Sequence, residues 1–171
     1  RDYFSPLKCT LFLHAERIRA KGTDAIIGIS KAQKEELSET FRIAPARKIR
    51  HVNLGFDLSP FLSCGTKRGE LRKRIGVDED TILIAVIGRL VPVKNHKMFL
   101  DAAKRLSHRN PEKKLKFLII GDGELRDSLE AYADQQGLKG SACFCGWIRD
   151  IHTVFADVDL LALTSLNEGT P

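Results

Sequence analysis

The sequence predicts an α/β fold built from parallel β-α-β units, and three observations predict it. Short apolar runs recur along the chain, the longest from Ile82 to Ile87, and segments of helical periodicity lie between them. Those segments are roughly 8–14 residues long, enough to cross over between parallel strands and too long for hairpin turns. The runs are apolar at consecutive rather than alternate positions, the pattern of strands buried on both faces.

Taken in order, Ser5-Pro6 opens a first helix, with Ser as N-cap and Pro where its missing N–H is not needed. Leu7, Leu11, Ala15 and Ile18 share one face, so this helix is expected over 6–20. Ala25–Ile29 reads as a short buried strand, and Ser30-x-x-Gln33 follows as a capping-box pattern opening a charged helix. Ile49–Leu54 is a second strand, after the turn-like Ala44-Pro45-Ala46. Gly55–Gly65 carries Gly, Asp, Ser and Pro without periodicity and is the expected linker. Beyond it, Leu71 and Ile75 face one way on a basic helix that Gly76 ends, and Thr81–Ile87 is a strand. Phe99, Ala102, Ala103 and Leu106 stripe the next helix, and Leu115–Ile120 is a strand. Leu125, Leu129, Tyr132 and Ala133 stripe a helix closed by Gly137. Ala142–Cys145, Arg149–Phe155 and Val158–Leu163 complete a strand, a short helix and a strand.

Composition narrows the class. With 43% hydrophobic residues the chain is globular, which excludes disorder and fibrous repeats. No apolar run approaches the ~20 residues of a membrane-spanning helix. Residues 1–20 mix charges into their apolar positions, unlike a signal peptide. Cys9, Cys64, Cys143 and Cys145 include no C-x-x-C pair, so reduced, buried thiols in a cytosolic protein are expected rather than disulfides or a zinc site. A net charge of +6 suggests an anionic partner. Arg1 in place of Met, and the loop-like stretch 167–171, read as a piece of a longer protein.

In open parallel sheets ligands bind at the carboxyl ends of the strands. Three such loops carry suggestive chemistry. In the first, Gly88 allows close backbone approach, Arg89 offers a fork for phosphate oxygens, and Lys94 stands where a helix begins. Two cations and a helix start suit a diphosphate; the plainer alternative is a solvated basic turn. In the second, Gly121-Asp122-Gly123 lacks the third glycine of a dinucleotide fingerprint, because Arg126 stands there, and a plain tight turn explains it equally well. In the third, Glu168-Gly169 could accept sugar hydroxyls while neighbouring amides meet phosphate.

Other constellations point away from metal and nucleic acid. Asp78-Glu79-Asp80 and Asp157-Val158-Asp159 precede strands, at the edge opposite the ligand edge, and read as solvated turns rather than metal ligands. His14, His51, His96, His108 and His152 form no i, i+4 pair. A P-loop and a G-x-S-x-G elbow are both lacking. Basic clusters at 17–21, 47–50 and 67–74 have one Trp and two Tyr in the whole chain to accompany them. That argues against a stacking platform for nucleic acid and leaves charged helix faces or a membrane-surface contact.

Together the loops resemble a known family. Gly88-Arg89-Leu90 with Pro92-x-Lys94-Asn95, then Gly121-Asp122-Gly123-Glu124-Leu125, then Phe144-x-Gly146-Trp147, then Ser165-x-Asn167-Glu168-Gly169-x-Pro171 are similar to the donor-binding half of family-4 glycosyltransferases of the GT-B fold. Upstream, Tyr3–Lys8, Thr23–Ser30 and Gly55-Phe56-Asp57 resemble the end of the acceptor-side domain and its hinge. The resemblance implies two Rossmann-like domains, both incomplete: 1–57 from the acceptor side, 58–65 as linker, and 66–171 for the donor. It implies a hexosyltransferase that uses a nucleotide-diphosphate sugar with retention of configuration and without a metal or other cofactor. Its acceptor would be a glycan, a lipid or a small molecule. Arg89 and Lys94 would hold the diphosphate, and Glu168 the sugar hydroxyls. Gly88, Gly169 and Thr170 would lie by sugar and phosphate, and Gly146-Trp147 near the base. The cysteines point to a cytoplasmic protein, and the basic clusters leave room for peripheral contact at the inner membrane face. The family's second glutamate, spaced Glu-x7-Glu, would fall after Pro171, and the hinge has Asn53-Leu54 where the family has Pro-Asn. These 171 residues by themselves are therefore expected to be inactive. A sugar-nucleotide epimerase on the same fold, a non-catalytic nucleotide-sugar module and a metal-dependent transferase of another fold are the rival readings.

Overall fold

The structure, a computed structural model, describes residues 5–168. They fall into two compact units that divide in sequence between Phe56 and Asp57.

The first unit contains α1 (Pro6–Lys21), β1 (Ile26–Gly28), α2 (Lys31–Glu35) and β2 (Ile49–His51), with α2 continuing as a π-helical turn over Glu36–Thr40. β1 and β2 pair in parallel, Ile26 opposite Ile49 and Gly28 opposite His51, as a β-α-β unit requires. The capping box forms at the start of α2. Ser30 Oγ accepts from Gln33 N at 3.1 Å, and Gln33 Oε1 accepts from Ile29 N at 2.8 Å. β2 stops short of the expected Leu54 because β1 ends at Gly28: Val52 N donates to Gly28 O at 3.0 Å, and among the described residues no further strand pairs with it. α1 differs from expectation in what its apolar face meets. Leu7, Leu11 and Ile18 are 82%, 70% and 66% exposed, and only Ala20 in the last turn joins the core of Ala44 and Ile49. Periodicity sets which residues share a face, and not whether anything covers it.

The second unit contains α3 (Ser59–Leu62), α4 (Glu70–Ile75), β3 (Ile82–Ile87), α5 (His96–Arg109), β4 (Leu115–Ile120), α6 (Arg126–Gln135), β5 (Ala142–Gly146), α7 (Ile151–Asp157) and β6 (Leu160–Ala162). Its four parallel strands run in the order β5-β4-β3-β6. β3 shows why the strand sequences are continuously apolar. Ile84 and Val86 enter a core with Phe99, Leu100 and Leu129, while Leu83 and Ala85 enter a second core with Leu71 and Val154 on the opposite face. Each fully buried aliphatic side chain there contributes about 1.5–3 kcal/mol. The α4 stop is as expected, since Gly76 takes the left-handed conformation at φ 69°. β6 is shorter than expected, and Leu160 and Leu161 are half exposed, because it is an edge strand whose register with β3 spans only Ile84–Val86.

The structure differs from expectation at three places. The 58–65 stretch, expected as a linker, forms α3 and enters a 3-10 turn over Cys64–Lys67, both packed on α7. Phe61 anchors it, 5.2 Å edge-on to Phe155 and 4.7 Å from the His152 ring, and a single aromatic anchor leaves no periodic trace. The thiols are half-buried rather than buried; Cys143 and Cys145 lie on edge strand β5, which has a neighbour on one side only. Asp157-Val158-Asp159 is not a solvated turn. Asp157 is 4% exposed and accepts from Gly69 N, Leu71 N and Arg72 N at 2.5, 2.8 and 3.1 Å, satisfying the orphan amides at the start of α4. Asp159 accepts from Leu83 N at 2.7 Å and from the buried Arg72 guanidinium at 3.0 Å. Asp78, by contrast, is exposed and pairs with Lys114.

Candidate functional site

The carboxyl ends of β3, β4 and β5 and the exit of β6 meet in one cluster of loops. β3 hands over to Gly88, whose N–H donates to Ile120 O at 2.9 Å. The chain then passes Arg89, Leu90 and a 3-10 turn over Pro92–Lys94 before α5 begins. The Lys94 side chain lies over Gly88, where an added Cβ would come 3.5 Å from Lys94 Cδ. The exit of β6 is stitched to this loop: Thr164 Oγ1 donates to Lys94 O at 3.0 Å and Leu166 N to Val93 O at 2.8 Å. That stitching delivers Glu168, and Lys94 Nζ donates to its Oε1. The Lys94 ammonium holds the Glu168 carboxyl below its usual range. Arg89 is exposed and makes no ion pair among the described residues.

The glycines of Gly121-Asp122-Gly123 serve close packing between strand-end loops. A Cβ on Gly121 would stand 2.0 Å from Gly88 O, and one on Gly123 would stand 2.6 Å from Leu90 O. The two loops are sewn together by Leu90 N to Asp122 O and Leu125 N to Leu90 O, both 3.0 Å. Arg126, in place of a third glycine, pairs with Glu130 at 2.9 Å and Asp122 at 3.6 Å and donates to Phe144 O at 3.3 Å.

Gly146 closes β5. The pairing runs Leu118 with Cys143, Ile119 with Phe144, then Ile120 with Gly146, so Cys145 is the additional residue of a β-bulge. Gly146 O accepts from Gly121 N at 2.9 Å, which ties the third loop to the second. Trp147 is 66% exposed and lines a cleft of about 490 Å³ with Glu70, Arg74 and Arg149. The structure therefore brings Gly88, Lys94 and Glu168 together, with Arg89 beside them in sequence. Gly146 is joined to them through Gly121. Gly169 and Thr170 lie outside the described residues, as do Tyr3, Phe4 and Pro171 of the motifs.

Sequence reasoning misses two supporting residues. Thr164 positions the Lys94 backbone from 70 residues away, which leaves no local signal. His96, which the sequence shows only as one of five histidines without an i, i+4 partner, is 2% exposed, and neither ring nitrogen has a hydrogen-bond partner among the described residues. Burial first, and then the Lys94 charge, lower its proton affinity. As pH falls, the unfolded chain protonates this imidazole before the folded one does. Its contribution to stability is therefore complete above the ordinary value of 6.5 and is lost as pH falls through it toward the folded value. The urea midpoint should thus drop as pH falls below the ordinary value of 6.5, and His96→Leu should flatten that drop. An equal drop in both proteins would assign the effect to other groups.

Known proteins share this sequence pattern and this arrangement of strands. The model of a family described as glycosyl transferases group 1 matches residues 67–171. An Escherichia coli protein, UDP-Gal:alpha-D-GlcNAc-diphosphoundecaprenol alpha-1,3-galactosyltransferase, is 33% identical over 158 residues, covering 91% of this chain and 40% of that protein. A crystal structure of HepE from Anabaena in complex with UDP superposes with a TM-score of 0.72 at 22% identity, covering 97% of this chain and 44% of that one. The glycosyltransferase WaaG, involved in lipopolysaccharide biosynthesis, gives a TM-score of 0.72 at 17% identity over 84% of this chain and 38% of its own. The chain spans less than half the length of each of these proteins.

Proposed function

The chain belongs to the glycosyl transferases group 1 family, and from that premise we propose that it holds a nucleotide-diphosphate sugar at the carboxyl edge of the β3–β6 sheet for transfer to an acceptor with retention of configuration. The observation that carries this reading is the meeting of Lys94 and Glu168, 74 residues apart, over the bare backbone of Gly88. Lys94 and Arg89 would take the diphosphate and offset the charge that grows on it as the glycosidic bond breaks, an effect largest in the transition state. Glu168, released from Lys94, would accept sugar hydroxyls, and Gly146-Trp147 would border the base. The counter-charge is assigned to these cations rather than to a metal because the carboxylates at Asp78, Asp157 and Asp159 are engaged by Lys114 and Arg72. Gly169 and Thr170 keep the phosphate-side role that the family motif gives them.

For the acceptor we propose a lipid-linked glycan, because the name of the Escherichia coli relative carries a sugar on diphosphoundecaprenol as its acceptor. A +6 chain would approach such a substrate from an anionic membrane surface. No helix among the described residues is long and apolar enough to cross a membrane.

Binding of UDP measured by calorimetry tests the donor site. Arg89→Ala and Lys94→Ala should each weaken it by about 10- to 150-fold, equivalent to ~1.5–3 kcal/mol for a hydrogen bond to a charged group. Unchanged affinity in both variants would overturn the assignment. Interconversion of donor isomers without any acceptor would favour the epimerase reading.

A further inference from the structure

Two thiols lie outside every role assigned above. Cys143 and Cys145 share edge strand β5, and Cys145 is the bulge residue. Cys145 Sγ stands 3.7 Å from Cys143 Sγ and 3.6 Å from Cys143 O. Both side chains are half-buried at the rim of the core that holds Leu71, Leu118 and Ile120. Lys116 and Arg74 supply positive charge on that rim. We propose that Cys143 and Cys145 form a vicinal dithiol site that a small-molecule disulfide converts reversibly into an intrastrand disulfide.

The roles of the two sulfurs differ. The hydrogen bond from Cys145 S–H, helped by the Lys116 charge, lowers the Cys143 thiol to about 6, while that same bond and burial push Cys145 up. Cys143 is therefore the attacking thiolate. It attacks one sulfur of the reagent's disulfide, whose S–S bond breaks and releases one reagent half as a thiolate that takes a proton. Cys145 then loses its proton and attacks Cys143 Sγ, forming the intrastrand bond and releasing the second half as a thiol. Two protein thiols are oxidised, and one reagent disulfide is reduced to two thiols.

Geometry admits the product. Residues two apart on an extended strand have Cα atoms ~6.6 Å apart, near the upper end of the 4.4–6.8 Å that a disulfide spans. Closing the 3.7 Å gap to a bond of about 2.05 Å draws Cys145 toward Cys143. Cys145 is joined directly to Gly146, whose carbonyl holds Gly121 N at 2.9 Å, and Gly121 is packed on Gly88 O. Oxidation therefore pulls on the loops at the ends of β4 and β3.

The test incubates the chain with oxidised glutathione and follows intact mass, peptide mapping without reductant and thiol titration. The expected product has lost two hydrogens, carries a Cys143–Cys145 link, and retains two titratable thiols of the original four. Reductant should restore all four. Cys145→Ser should stop at one glutathione attached to Cys143. In the oxidised wild type, hydrogen exchange at the Gly121 amide should be faster. Four thiols that remain titratable, a stable glutathione adduct in the wild type, or linkage through Cys9 or Cys64 would overturn the site. Unchanged exchange at Gly121 would overturn its coupling to the loops. None of these readouts depends on a bound nucleotide.

Discussion

Replacing Asp157 with alanine is expected to destabilise the second unit by about 3–5 kcal/mol, the usual effect of removing one partner from a buried ion pair. A domain holds only about 5–15 kcal/mol in total, so this is a large share. Two losses coincide in Asp157→Ala. The amides of Gly69, Leu71 and Arg72 lose their common acceptor and are left as unsatisfied donors at the start of α4. Arg72, 3% exposed, loses the carboxylate 3.9 Å from its Nε and among the described residues keeps only Asp159 as a counter-charge. Arg72 also donates to Asp78 O at 2.9 Å and Thr81 O at 2.7 Å, so movement of its guanidinium disturbs the entry to β3 as well. Urea denaturation measures the effect. Asp159→Ala is the comparison, because its side chain is 46% exposed and water can replace part of what it does. A loss below ~1 kcal/mol for Asp157→Ala, typical of a surface ion pair, would show that the network is not buried in solution.

The second large effect is expected at Gly121. A methyl group there meets Gly88 O at 2.0 Å and Gly88 C at 2.8 Å, and the residue has φ +135°, a conformation that L side chains rarely adopt. Forced backbone and overpacking each contribute about 1–3 kcal/mol, so Gly121→Ala should lose about 2–6 kcal/mol. The obstacle is backbone on both sides, and no side chain can rotate away. Relief must come from parting the β3 and β4 loops, so UDP affinity should fall even though Arg89 and Lys94 are intact. Gly88→Ala is the control for stability: the atoms nearest its Cβ would belong to the flexible Lys94 side chain, at 3.5 Å, which is ordinary contact. Thermal denaturation of the two variants checks the packing, and UDP binding by Gly121→Ala checks the parting of the loops. Equal destabilisation by Gly88→Ala and Gly121→Ala would refute the packing argument.

The donor loops are legible as motifs because each is short and local. Gly88-Arg89 follows an apolar run, and Lys94 precedes a stripe at helical spacing. Spacing does not reveal how the loops are used. Gly121 and Gly123 are equally consistent with a tight turn, and their purpose emerges only from the Gly88 and Leu90 carbonyls packed against them. Asp157-Val158-Asp159 misleads for a related reason. It does precede a strand, but a carboxylate at that edge is solvated only if nothing covers it. Here the first turn of α4, 86 residues earlier, lies on it. The 58–65 stretch reads as a linker because a segment held by one aromatic side chain, Phe61 on Phe155 and His152, needs no repeat of apolar residues.

By itself the sequence determined the parallel α/β class, the strands and helices of 81–146, the capping box at Ser30 and the helix stop at Gly76. All of these arise from interactions between residues within about four positions of one another, or from the strict period-2 and period-3.6 geometry of the backbone. Tertiary structure alone decided which glycines must be glycine, which carboxylates are buried and which face of α1 stays exposed. It also decided that Lys94 meets Glu168 and that Cys145 bulges toward Cys143. Those outcomes depend on the path of the chain between distant residues. A local sequence window records a residue's own preferences, and not the neighbour that folding will place against it.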